Sequence, residues 1–376
     1  MGRQMNHHNY ISHFIERKLR KLPIIMILVI TLLCLYGVLV LYFAAKGSMH
    51  PWGYKQLMNF CIFMPLAIMI SLIDLKLIFR LSYVPYIIVL ILLIIVELFG
   101  YKAMGATRWI EIGGLRVQPA EPAKIAIALM LAKYFHNMTS EEVLHLRSLF
   151  IPSLLLIIPV GLIVKQPDLG TGSLTLMVGA IMFFGAGIRS RIFRVGFIGG
   201  LLTAPVLWYF MHEYQKKRIL VFLNPELDPR GSAYNIIQSK IAIGSGGLFG
   251  KGLGMGTQNQ LDFLPEHQTD FIFASLAEET GLAGSMLLLI LYALLLYVSI
   301  SIVINARSIF GKLLALGVTS IFFCHAFINM SMVMGLLPVV GLPLPFISYG
   351  GTMMVSMLVG FGLIMNVHVH RHLSLK

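Results

Sequence analysis

Long apolar runs alternate with short polar, often basic, connections along most of the 376-residue chain. Several runs exceed the roughly 18 residues that mark a bilayer-spanning helix. Ten spans are expected, over 23–45, 56–73, 81–100, 120–135, 149–165, 170–187, 192–211, 271–304, 313–335 and 350–367. The fourth is the weakest, because Glu121, Lys124 and Lys133 interrupt or flank it. The first follows Arg17, Lys18, Arg20 and Lys21, exceeds a signal-peptide core and lacks a convincing cleavage site, so it reads as a retained helix.

Charge supports the count. With a cytoplasmic N-terminus, Lys76, Arg80, Arg147, Arg189, Arg191, Arg194, Arg307, Lys312, Arg371 and Lys376 all fall inside. The short outside loops hold fewer cations, chiefly Lys46, Lys55, Lys102, Arg108 and Arg116, as the positive-inside rule requires. Omitting the fourth span would put Arg189, Arg191 and Arg194 outside. The expectation is therefore an all-α polytopic integral membrane protein with ten transmembrane helices and both termini cytoplasmic. It forms a single domain over 1–376, with 1–22 as a cytoplasmic tail.

One connection stands apart, 212–270, a large extracytoplasmic loop between helices seven and eight. A structureless loop of that length is uncommon, so local structure is expected there. Ala233, Ile236, Ile237 and Ile241 recur near helical spacing beside Asn235, Gln238, Ser239 and Lys240. That pattern predicts a short amphipathic helix at the outer membrane face.

Composition narrows the function. Only 12% of residues are charged, against 57% hydrophobic, about half the charged share of a soluble domain. The net charge of +13 sits largely in short loops, with no aromatic-interleaved basic stripe or zinc pattern, so nucleic acid is not the partner. Cys34, Cys61 and Cys324 lie in apolar stretches and suggest neither a disulfide framework nor a zinc site.

Polar groups are costly in hydrocarbon unless satisfied, so their positions are informative. They gather on the expected outer side. GATRWIEIGGLRVQPAEPAK brings Arg108, Trp109, Gln118, Glu121 and Lys124 close together, and KQPDLGTG supplies Lys165 and Asp168. FLPEHQTDFIFASLAEETG holds Glu266, Asp270, Glu278 and Glu279, and PVVGLPLPFISYGG adds irregular backbone. Each residue alone has a plainer reading. Glu121 and Lys124 have ion-pair spacing, Trp109 suits an interfacial anchor, Asp168 suits a helix cap, and Asp270 suits a helix N-terminus. Together the four segments imply a cavity. The run GSGGLFGKGLGMGTQ is no nucleotide cradle: Ser245 stands where a Walker A loop needs its first glycine, and Gly252 follows Lys251.

The strings QPAEPAK, QPDLGTG, NPELDPRGSAYNIIQSKIAIGSGGLFGKGLGMGTQ, FLPEHQTDFIFASLAEETG and GLPLPFISYGG resemble the SEDS family (shape, elongation, division and sporulation). The resemblance covers spans three to ten in matching order, and details such as FLPE before TDFIF favour its RodA branch. His267-Gln268 departs slightly from the commoner order. The resemblance implies a lipid II-dependent peptidoglycan glycosyltransferase in the bacterial cytoplasmic membrane. It also implies a growing glycan strand, a class B penicillin-binding protein transpeptidase and the elongation machinery as partners, within a setting of membrane lipids. Asp270 corresponds to the family's essential aspartate, expected as general base. Lys124, with Arg108 behind it, would neutralise the departing pyrophosphate, and Glu121 would orient Lys124. Trp109, Asp168, Glu266 and Glu278 would support the site. A divalent cation, magnesium or manganese, suits that chemistry, but the pattern identifies no ligands for it. The competing expectations are a lipid II flippase, for which the internal repeat is missing, and a non-catalytic scaffold for the transpeptidase.

Overall fold

Helices form over all ten expected segments of the computed structural model. It describes residues 16–375 except 104–105, 113–114, 140, 212, 225, 227, 229–232, 262 and 265. Residues 1–15 of the expected tail, Lys376 and parts of the 212–270 loop thus lie outside the described residues. In chain order the helices are α1 (Ile24–Ala44), α2 (Trp52–Leu72), α3 (Leu75–Leu81), α4 (Tyr83–Phe99), α5 (Ala120–His136), α6 (Phe150–Lys165) and α7 (Leu169–Gly185). There follow α8 (Ser190–Phe210), α9 (Glu213–Leu223), α10 (Tyr234–Ser245), α11 (Thr257–Gln260), α12 (Ile272–Asn305), α13 (Ile309–Val333) and α14 (Gly351–Val369). The chain is an all-α polytopic membrane protein. Among the described residues, six helices are individually long and apolar enough to cross a membrane, namely α1, α2, α6 with its leading turn, α12, α13 and α14. The pair α3–α4, bent by 43°, makes a seventh. Of the other expected spans, α5 and α7 have 17 residues each, and α8 carries Arg191 and Arg194 near its start.

The centre is built from α5, α13 and α14, whose small and apolar side chains are mostly buried. Close approach leaves backbone ends to satisfy, and side chains from neighbouring helices do it. Asn366 of α14 donates to the carbonyls of Ile70, Ser71 and Ile73 at 2.9, 3.2 and 2.7 Å, closing the end of α2 inside the bundle. At the periphery α8 buries none of its described side chains, and Val195, Ile198, Leu201, Leu202 and Val206 face outward. An outward apolar face is the normal surface of a helix solvated by lipid.

Two regions differ from the sequence expectation in detail. The connection after α4 holds a three-stranded antiparallel sheet, β1 (Tyr101–Ala103), β2 (Ala106–Ile112) and β3 (Leu115–Val117). Tyr101 stands opposite Trp109, and Ile110 opposite Val117. The 212–270 connection holds α9, α10 and α11, so local structure does fill it. The expected amphipathic helix is α10, but its buried residues are Ile236, Ser239 and Ala242. They pack against α12 and α13, with Ser239 Oγ donating to the Val333 carbonyl at 2.9 Å. Ile241 points away and is exposed.

Candidate active site

The site begins with a stretch of buried backbone that is not helical. Between α13 and α14, Leu342, Leu344, Phe346, Ile347 and Ser348 are all buried without regular structure. Irregular backbone at membrane depth is tolerated only where protein groups satisfy it. Here they do. Asn329 Nδ2 donates to the carbonyls of Leu342 (2.7 Å) and Asp270 (2.8 Å). Tyr292 donates to Pro345 O at 2.6 Å, and Gln56 to Phe346 O at 3.2 Å. Ser348 Oγ donates to Thr269 O at 2.6 Å, and Tyr349 N to Gln268 O at 2.9 Å. These bonds tie 268–270 to the 342–349 loop and fix the approach to α12. Asp270 therefore sits on rigid backbone, one residue before the N-cap Phe271.

Around Asp270 the chain assembles charges from four segments. Glu266 precedes it by one turn and accepts from Thr269 Oγ1 at 3.0 Å. Asp168 caps α7, accepting from Thr171 N (3.2 Å) and Thr171 Oγ1 (3.0 Å), and it also accepts from Gln118 Nε2 at 3.1 Å. Arg108 on β2 lies with Nε 3.8 Å from Asp168 Oδ2 and donates to the Pro167 carbonyl. Arg218 on α9 donates to Val339 O at 3.1 Å. Arg108 and Arg218 line one small cavity of about 120 Å³ together with Pro167, Gly170, Gln215 and Val340. The Asp270 carboxyl is pushed up to about 6, first by burial and then by Glu266, against the opposing pull of Arg218 and Arg108. Gly341 completes the wall: its φ is +74°, and a Cβ there would lie 3.4 Å from Asp270 Oδ2.

The other residues singled out in the sequence make contacts of their own. Lys124 is enclosed in the bundle centre, with Nζ 2.8 Å from Glu121 Oε1 and 2.6 Å from His325 Nε2. Both members of the Lys–Glu pair are almost completely buried, and Glu121 Oε2 has no hydrogen-bond partner among the described residues. Glu278, wholly buried on α12, accepts from Lys251 Nζ (2.6 Å), Thr257 Oγ1 (3.0 Å) and Gln258 N (3.2 Å). It fastens the glycine-rich loop against α12, two turns beyond Asp270. Successive side chains on a strand face opposite ways, so Trp109 and Arg108 occupy opposite faces of β2. Sequence reasoning left out Arg218, Asn329 and His325. A polar Asn and His four apart in an apolar helix were a usable signal, whereas Arg218 is hidden in the basic run Lys216-Lys217-Arg218.

What the arrangement can do is chemically specific. A carboxyl titrating near neutrality can take a proton from an alcohol, and two arginines beside it can hold an anion. The model of the FtsW/RodA/SpoVE cell cycle proteins matches residues 20–373. The chain belongs to that family. Among relatives in it, the peptidoglycan glycosyltransferase MrdB of Escherichia coli K12 is 42% identical over 354 residues, 93% of this chain and 94% of that one. The MrdB of Helicobacter pylori is 38% identical over 298 residues, covering 78% and 77%. Solved structures agree. The rod shape determining protein RodA of Thermus thermophilus superposes with a TM-score of 0.70 at 27% identity, covering 93% of this chain and 97% of that one. A chain of a peptidoglycan synthase complex that coordinates polymerization and crosslinking superposes with a TM-score of 0.80 at 29% identity, covering 92% and 97%. The family likeness thus extends over the whole helical bundle and includes the RodA branch.

Proposed function

We propose that this protein is a peptidoglycan glycosyltransferase that builds glycan strands from lipid II during elongation, with Asp270 as general base. The observation that carries the reading is the Asp270 carboxyl, held at about 6 beside a cavity lined by Arg108 and Arg218. In the reaction the 4-hydroxyl of one disaccharide unit attacks the anomeric carbon of another. The new C–O bond forms as the anomeric bond to pyrophosphate breaks, and the hydroxyl proton passes to Asp270. Undecaprenyl pyrophosphate leaves with the bonding electrons, so negative charge grows on its bridging oxygen. Arg108 and Arg218 would offset that charge. Lys124, closed within its own ion pair, would act on the site only through the position of α5. One displacement on an α-linked donor gives a β-1,4 product.

The active face would be extracytoplasmic in the bacterial cytoplasmic membrane, with ten spans, both termini inside and α10 near the outer membrane surface. A class B penicillin-binding protein transpeptidase would crosslink the strands as they emerge. Among the described residues no group of three His, Cys, Asp or Glu side chains could hold a metal ion. The described side chains thus form no such cage for magnesium or manganese. A divalent cation would have to arrive on the pyrophosphate oxygens, a common mode for magnesium.

The test is lipid II polymerisation by purified, monodisperse protein, alone and with its cognate transpeptidase, wild type beside Asp270→Ala. Strands from wild type and none from the variant support the proposal. Strands from both remove Asp270 from the role, and strands from neither, with the transpeptidase present, return the protein to a flippase or scaffold reading.

A further inference from the structure

A second charged cavity lies at the other end of the bundle. It is open, has a volume of about 510 Å³, and is lined by Lys76, Phe79, Arg80, Lys133, Ser374 and Leu375. Glu121 begins α5 near the Asp270 end and Lys133 stands near its far end, twelve residues on, or roughly 18 Å along the axis. The cavity therefore has no part in the chemistry around Asp270.

One of its cations, Lys133, is held in place. Lys133 Nζ donates to the Arg80 carbonyl at 2.7 Å and stands 4.5 Å from the centroid of the Tyr83 ring and 5.3 Å from that of Phe79. Lys76 and Arg80 sit four apart on α3 and are exposed. Among the described residues no carboxylate lines the cavity, and none of the three cations forms an ion pair. Nearby acids are engaged elsewhere: Asp74 caps α3 through Lys76 N, and Glu142 accepts from Thr139 N and Oγ1. Three positive charges around one cavity, one of them fixed and none paired among the described residues, favour an anion.

The surroundings identify which anion. Leu77, Leu81 and Val84 are exposed beside the cavity on α3 and the start of α4, and these helices form the bent pair of membrane-crossing composition. A ligand seated here thus meets cations at one end and a lipid-facing apolar wall along its side. Basic pockets between transmembrane helices on that side of a membrane suit acidic lipid headgroups. We propose that this cavity seats the headgroup of an anionic phospholipid, its phosphate held by Lys76, Arg80 and Lys133 and its acyl chains running along Leu77, Leu81 and Val84. The bound lipid bridges α3 to the C-terminal residues Ser374 and Leu375 and braces the bend between α3 and α4.

The experiment titrates phosphatidylglycerol into delipidated full-length protein in detergent and reads bound lipid by native mass spectrometry. Phosphatidylcholine and glycerol phosphate serve as the other arms. Each cation near a membrane surface contributes about fivefold in affinity, so Lys76→Gln/Arg80→Gln should weaken phosphatidylglycerol binding roughly thirtyfold. Lys133→Gln, read alone, should weaken it about fivefold and keeps the test available if the pair disturbs α3. Arg191→Gln/Arg194→Gln on α8 removes as much charge away from the cavity and should leave affinity unchanged. Equal binding by the cavity variants, or an equal loss in the α8 variant, overturns the proposal. So does phosphatidylcholine binding as tightly as phosphatidylglycerol. Displacement of the lipid by equimolar glycerol phosphate would make this a site for free phosphate esters instead.

Discussion

Two ionic clusters share this bundle, and what surrounds their charges separates them. Lys124, Glu121 and His325 close on one another in the centre, at 2.8 and 2.6 Å, with the Lys–Glu side chains almost wholly buried. Around Asp270 the carboxylates of Glu266 and Asp168 crowd a third one, while Arg108 and Arg218 face a cavity. In a buried pair in close contact each charge is chiefly engaged by the other, even though Glu121 Oε2 keeps an unused acceptor among the described residues. A crowded carboxylate beside cations that line a cavity is poised to exchange a proton and hold an anion. Burial alone therefore does not mark a catalytic centre, since the more deeply buried cluster is the one without access.

The sharpest test of the contrast is Asp270→Asn, which keeps shape and removes the base. Polymerisation should fall about 10²- to 10⁴-fold, the usual contribution of a positioned general base. Folding should respond the other way. Burial and Glu266 lift the folded-state carboxyl from 3.8 to about 6, so ionised Asp270 lowers stability as pH rises from about 4 through 6. The Asn variant should consequently be as stable as wild type at pH 7, or more stable by on the order of 1 kcal/mol. Thermal unfolding in detergent reads this, and a lowered midpoint beside lost activity would point to a structural role. The same shift predicts that the wild-type rate climbs with pH on an acidic limb centred near 6, measured on initial rates of strand formation.

Arg218→Gln comes next. If Arg218 offsets leaving-group charge, its loss should lower the turnover rate about 10²-fold, the scale for deleting one preorganised donor. Arg218→Lys should recover part of that rate. A variant that changes KM alone would make Arg218 a binding residue and weaken the contrast between the two clusters.

The central cluster should answer in stability instead. Lys124→Met leaves Glu121 buried opposite a neutral group, which costs about 3–5 kcal/mol when one partner of a buried pair is removed. Lys124→Met/Glu121→Leu should recover much of the loss, because replacing both partners with apolar groups is often close to neutral. Activity per folded molecule in the double variant decides the matter. Near wild-type turnover makes the cluster a brace; a stable but inactive double variant would give Lys124 a direct part in the chemistry.

The sequence displayed the bundle better than the site. Apolar runs coincide with helices at all ten expected positions, because a long apolar segment is a strong, uniform signal. The charges Glu121 and Lys124 in a short span announced themselves as a pair, and they are one. What ran parallel to that signal was harder to see. Ile110-Glu111-Ile112 and Leu115-Arg116-Val117 alternate around Gly113-Gly114, a hairpin pattern overshadowed by the polar residues it carries. Arg218 drew no attention because a long loop is exempt from charge rules. Asp270 and Asp168 are 102 positions apart in the sequence, and their meeting depends on where α7 and α12 begin, which no local pattern encodes. Family motifs pointed to both residues; the fold sets Arg218 beside them together with the expected Arg108 and shows Lys124 in contact with Glu121 and His325.

The smallest perturbation tests how finely the Asp270 cluster is tuned. Gly341 holds a φ of +74°, where an L-residue is strained, and a Cβ would meet Asp270 Oδ2 at 3.4 Å, ordinary contact distance. Gly341→Ala should therefore cost about 1 kcal/mol of stability from backbone strain alone. Its added methyl also displaces water from the carboxylate, and desolvation disfavours the charged form. The acidic limb of the rate profile should move upward in pH, with turnover near neutrality reduced only a few-fold. Gly360→Ala serves as the control, since that glycine packs against Val318 and Ile125 in the core. A Cβ there strains packing but touches no carboxylate. If both variants lose stability and only Gly341→Ala shifts the limb, the environment of Asp270 sets its proton affinity. If neither shifts it, crowding by Glu266 and the pull of the two arginines determine that affinity without help from the loop.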